Sequence, residues 1–98
     1  MWLLQTAEGA EPAFTFRLLP GSIKTIGRAP RADFIVVAPL VSRVHCRLTA
    51  GASDLEVVDL ESTNGVFVNG RRIEKHASVQ AGDKLGIGRV EFQVSWTE

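Results

Sequence analysis

The chain has 98 residues, 45% of them hydrophobic, with 11 basic and 11 acidic side chains. That is enough for one domain around one core and too little for two. A net charge of zero gives no global attraction to nucleic acid or to an anionic membrane, so any anion affinity must come from a local patch.

The chain opens on Met1-Trp2-Leu3-Leu4 but turns polar at Gln5 and Thr6, too soon for a signal-peptide core. Residues 2–6 read as a strand. Between 7 and 13, Gly9 and Pro12 break any helix. Residues 14–19 read as a strand, with 14–18 alternating apolar and polar, the period-2 mark of a half-buried strand. Pro20-Gly21 makes a turn, and 22–26 forms the next strand. Phe34 to Val37 is a short apolar run. Val44, Cys46 and Leu48 alternate with His45, Arg47 and Thr49, which puts His45 on the face opposite the apolar residues. Another strand is expected near 54–59. Residues 66–68 make a very short strand bounded by Asn-Gly pairs, which favour tight turns with positive φ. Residues 72–74, 84–88 and 90–96 complete the pattern, the last two as a hairpin. About ten short strands and no helix predict an antiparallel β-sandwich. Trp2 and Trp96 are expected to pack where the terminal strands meet.

No stretch approaches a membrane span. The single cysteine, Cys46, excludes an internal disulfide and suits a reducing compartment. The expected setting is the cytoplasm, or the nucleus if the source is eukaryotic. Flanked by core positions, Cys46 reads as an inert buried thiol.

Three polar motifs interrupt the strands. In Gly27-Arg28, a glycine at a strand end permits close backbone approach, and the arginine fork can hold phosphate oxygens in a bidentate way. Alone, such a pair is an ordinary surface arginine. In Ser42-Arg43-Val44-His45, a hydroxyl and a second charge sit at a strand start. A nucleophilic Ser42 with His45 as base is the rival reading. It is disfavoured because the two residues should face apart on a strand, and no nucleophile-elbow signature is present. In Ser62-Thr63-Asn64-Gly65, Asn-Gly is a hairpin signal, while the Thr63 hydroxyl suits a phosphate and the Asn64 amide suits an extended peptide. Asn69-Gly70 reads as a further turn.

Other signals fail. Gly82, Gly86 and Gly88 lack dinucleotide-fingerprint spacing and precede no helix. Cys46, His45, His76 and Asp59 lack metal-site spacing. No carboxylate pair suggests glycoside chemistry, and no cofactor is called for.

Taken in order and spacing, Gly27-Arg28, Ser42-Arg43-Val44-His45, the run from Asp59 to Gly70, and Gly82 to Gly88 resemble the forkhead-associated (FHA) domain. The resemblance runs from about Arg17 to Val94. It implies an all-β fold, a sandwich of about eleven mostly antiparallel strands in two sheets, with ligand loops at one end. It makes residues 1–98 a single such domain, expected to belong to a longer protein. It also implies a non-catalytic module that binds phosphothreonine peptides. By resemblance Arg28, Ser42 and Arg43 contact the phosphate, Thr63 helps hold it, and Asn64 bonds the peptide backbone. Gly27, His45, Gly65, Asn69 and Gly70 shape the loops. The family's usual threonine after Asn-Gly is Val66 here, a position more structural than ligand-binding. Leu40, two before Ser42, is the specificity candidate for the third residue after the phosphothreonine; between Pro39 and Val41 it suggests an apolar or undemanding preference there rather than an acidic one. The implied partner is a phosphothreonine protein acting downstream of a Ser/Thr kinase, with no nucleic acid or membrane, bound by a monomer. A phosphate-independent scaffold or self-association domain, using a sheet face, is the alternative. Since the second phosphate pKa is about 6, binding should weaken below that pH.

Overall fold

The computed structural model describes residues 1–98 as eleven strands and no helix. They are β1 (Trp2–Thr6), β2 (Thr15–Leu18), β3 (Ile23–Gly27), β4 (Phe34–Ile35), β5 (Cys46–Ala50) and β6 (Leu55–Asp59). After them come β7 (Val66–Val68), β8 (Arg71–Arg72), β9 (His76–Val79), β10 (Lys84–Ile87) and β11 (Val90–Trp96). One sheet runs β2-β1-β11-β10-β7-β8 and the other β4-β3-β5-β6-β9. All strand pairs are antiparallel except β3 with β4, which run parallel.

Alternation builds the core. Trp2 and Leu4 of β1, Leu85 and Ile87 of β10, and Phe92 and Val94 of β11 point inward from the first sheet. Ile26, Cys46, Leu48, Leu55, Val57 and Val79 answer from the second. Burying each large side chain contributes about 1.5–3 kcal/mol against the entropy of ordering the chain. On β2, Phe16 and Leu18 turn inward while Thr15 and Arg17 stay exposed, as the alternation predicts. Phe16 stacks on Phe34 with ring centroids 4.5 Å apart, closing the sandwich at its β2 and β4 edges. Trp2 and Trp96 meet edge to face at 5.2 Å, and Trp2 Nε1 donates to Gly51 O at 2.9 Å.

The Cys46 thiol is fully buried, and that burial pushes its pKa up, keeping it protonated and unreactive.

Three expectations need correcting. His76 to Val79 is a strand, β9, paired with β6. Its sequence hides this, because only Val79 is buried on an otherwise exposed edge. The expected run at 34–37 shortens to two strand residues, since the chain turns away at Val36–Pro39. Strand β5 begins at Cys46, so Val44 and His45 lie in the preceding loop. The period-2 count therefore does not reach His45. Instead of facing outward, it is completely buried.

The pairing registers place the β3–β4, β4–β5, β6–β7 and β10–β11 connections at one end of the sandwich. Both termini lie at the other end, where Met1 and Thr97 exchange backbone hydrogen bonds.

Candidate functional site

Gly27 ends β3 at a point where two backbones touch. A Cβ there would run into the carbonyl oxygen of Arg43, a backbone atom that cannot swing aside. This close approach lets Arg28 N donate to Ser42 O and Ala29 N to Arg43 O, each at 3.0 Å, zipping the β3–β4 loop onto the β4–β5 loop. Arg28 is exposed. Its Nε donates to Val41 O at 3.1 Å, which holds the side chain along the loop and leaves both Nη groups for a ligand.

His45 is the internal brace. Its Nδ1 accepts the Ser42 backbone N–H at 3.0 Å. An accepting Nδ1 puts the ring proton on Nε2, which donates to Gly65 O at 2.8 Å. One neutral ring thus joins the β4–β5 loop to the β6–β7 loop. Ser42 and His45 do meet, contrary to the argument from opposite faces, but through the serine backbone. Both ring nitrogens are committed to main-chain groups, so neither serves the Ser42 hydroxyl as a base.

Ser42 Oγ accepts the Thr63 N–H at 3.1 Å, which places the Ser42 and Thr63 side chains side by side. Asn64 Nδ2 donates to Leu40 O at 3.1 Å, so part of the amide expected to engage a ligand holds the neighbouring loop; Oδ1 and the second N–H remain. Leu40 has a φ of 70°, an unusual conformation for a branched side chain. Its carbonyl is clamped by Asn64 and by Gly88, where a Cβ would sit 2.9 Å from Leu40 O. The Leu40 side chain is 44% exposed, so it does not simply pack against the sandwich.

The β6–β7 loop has a frame of its own. Ser62 N donates to Asp59 Oδ1 at 2.9 Å, and Gly65 N donates to Ser62 Oγ at 3.0 Å. Gly65 then takes a φ of 87°, which glycine adopts without a Cβ penalty. Asp59, Ser62 and Gly88 are supports that sequence reasoning did not assign. The Asp59-x-x-Ser62-x-x-Gly65 spacing, typical of side-chain-capped turns, was the available signal.

Arg28, Ser42, Thr63 and Asn64 therefore converge, with Arg43 exposed on the same loop as Ser42. Asn69 and Gly70 do not join them. They form the β7–β8 turn at the opposite end, where Asn69 Nδ2 donates to Asp83 Oδ1 and Lys84 N donates to Asn69 Oδ1. Hydrogen bonds from Gln80 N and Asn69 hold the Asp83 carboxyl below the usual carboxylate range. A depressed carboxyl stabilises the fold above its unfolded value, and that contribution is lost as pH falls through the folded value.

The arrangement presents an arginine fork and two hydroxyls to one point of solvent, with backbone-binding capacity beside it. This suits a tetrahedral anion carried on a peptide. A cavity of about 400 Å³ lies elsewhere, between the β1–β2 loop, Ala38-Pro39 and Arg89-Val90-Glu91, and none of the five candidate residues lines it.

The family model described as FHA domain matches residues 24–88. A Mycobacterium tuberculosis protein, the ABC transporter ATP-binding/permease protein Rv1747, is 38% identical over 78 residues, covering 80% of this chain and 9% of that one. The crystal structure of the FHA domain of the CT664 protein from Chlamydia trachomatis superposes with a TM-score of 0.89 at 29% identity, over 99% of this chain and 98% of that one. A structure from a study of phosphothreonine-dependent FHA domain interactions superposes with a TM-score of 0.85, also at 29% identity, over 99% and 97%. The chain spans half or less of the length of the curated relatives compared.

Proposed function

The chain belongs to the FHA-domain family of phosphothreonine-dependent interaction modules, and from that premise we propose that it is a non-catalytic reader that recruits a phosphothreonine protein downstream of a Ser/Thr kinase. The observation that carries this reading is the convergence of three loops. Ser42 accepts from Thr63, and the backbone of Arg28 is zipped to that of Ser42. Phosphothreonine brings about −1.5 to −2 charges and three acceptor oxygens at pH 7. Arg28 and Arg43 supply the countercharge, and the Ser42 and Thr63 hydroxyls supply two further donors. Asn64 binds the peptide backbone. The domain acts as a monomer in the cytoplasm, without cofactor or metal.

Backbone amide shifts on adding a phosphothreonine peptide library test the location. Shifts centred on Arg28, Ser42, Thr63 and Asn64 are expected. Shifts confined to a sheet face would favour the phosphate-independent scaffold instead.

A threonine methyl filling a small pocket between the loops would make phosphothreonine bind about 10–200-fold more tightly than phosphoserine in a matched peptide. Equal affinities in a competition titration would refute this.

Leu40, held in solvent beside Asn64, faces the third residue after the phosphothreonine and selects an apolar side chain there. A phosphopeptide array should enrich Leu, Ile or Val at that position. Strong selection for Asp would contradict it.

A further inference from the structure

Arg72 follows Gly65 by seven residues, and the β7–β8 hairpin returns it to the side of that loop. The β7–β8 pair sets Arg72 opposite Phe67, and Ile73 N donates to Val66 O at 2.9 Å. This turns the β8 side chain back toward Gly65. A Cβ on Gly65 would lie 2.6 Å from Arg72 Nε and 2.9 Å from its Cζ. The guanidinium therefore rests where a side chain at position 65 would stand, one residue from Asn64. Arg72 is exposed, so the N–H groups facing away from Gly65 are open to a ligand. Lys75, also exposed, stands at the same end, its carbonyl accepting Asp59 N at 2.8 Å. Glu74 is the carboxylate nearest to Arg72 in sequence.

We propose that Arg72 forms a carboxylate subsite beside the phosphate site and selects an acidic residue in the peptide close to the segment held by Asn64. The inference rests on the reader function proposed above. Charge complementarity commits the occupant to an Asp or Glu side chain, and contact with Gly65 makes the subsite continuous with the phosphate loops. A planar guanidinium seated on a glycine has lost part of its freedom before the ligand arrives, so less entropy is lost in pairing with the planar carboxylate. The contact is solvent-exposed, which keeps its effect modest.

The test is a set of fluorescein-labelled phosphothreonine peptide pools. Each pool fixes Asp, Ala or Lys at one of the four positions on either side of the phosphothreonine, with the rest degenerate. Each is titrated against wild type, Arg72→Ala and Arg72→Gln at low salt. Wild type should favour Asp over Ala at one position by roughly 2–5-fold and disfavour Lys there. Both variants should lose that preference while binding the Ala pool within about two-fold of wild type. The preference should also shrink in 0.5 M salt. Asp preference unchanged in both variants would overturn the proposal. So would an equal loss for all pools, which would make Arg72 a support for the Gly65 turn alone. Failure of wild type to bind any phosphorylated pool better than its unphosphorylated counterpart would overturn the reader function and this inference together.

Discussion

Arg28→Ala will reduce affinity for a phosphothreonine peptide by roughly 30-fold or more and leave the fold in place. Removing one partner of a desolvated charge pair costs about 2–5 kcal/mol, because the other charge is left uncompensated. Phosphate is the larger charge here, and Arg28 is the fork whose backbone is locked to Ser42. What the unbound domain loses is one hydrogen bond, Arg28 Nε to Val41 O. That is worth about 0.5–1.5 kcal/mol, so the melting temperature should fall by no more than about 10 °C. Arg28→Lys should lie between wild type and alanine, since it keeps the charge but loses the bidentate fork. Titration by fluorescence polarisation, with a thermal melt of each variant, checks both halves. Unchanged affinity in Arg28→Ala would remove this residue from the site.

The second large effect is structural and sits at His45. The ring is fully buried and joins two loops through Ser42 N and Gly65 O. His45→Ala strands both main-chain groups, at about 1–3 kcal/mol for each left unsatisfied, and opens a cavity. A loss of about 3–5 kcal/mol is expected, lowering the melting temperature by roughly 12 °C or more for a domain of this size. Peptide affinity should fall as well, because Ser42 and Thr63 lose the brace that keeps them adjacent. Calorimetry on the variant decides the matter. A melting temperature within a few degrees of wild type would show that the bridge carries little of the loop order.

Much of this was legible from residue patterns, for physical reasons that vary along the chain. Strand β2 announced itself because one face is wet and the other meets the core, so Phe16 and Leu18 alternate with Thr15 and Arg17. Strand β9 did not, because an exposed edge strand needs few apolar residues and has only Val79 buried. The five candidate residues stood in recognisable motifs, and the loops bring four of them, Arg28, Ser42, Thr63 and Asn64, together. The role of His45 was harder to read. Alternation holds only inside a strand, and His45 is the last loop residue before β5. Leu40 gave no warning of its positive φ, and the residues that meet its carbonyl, Asn64 and Gly88, are distant in sequence. Arg72 was invisible for a similar reason. Nothing local marks it, and only the β7–β8 register carries it back to Gly65.

The central claim is that binding requires the phosphate. The most direct measurement is a paired polarisation titration of one degenerate phosphothreonine peptide pool, before and after complete treatment with a phosphatase. The account predicts saturable binding to the untreated pool and its loss after dephosphorylation. Equal binding to both pools, or no binding to either by a domain whose melt shows it folded, would contradict it.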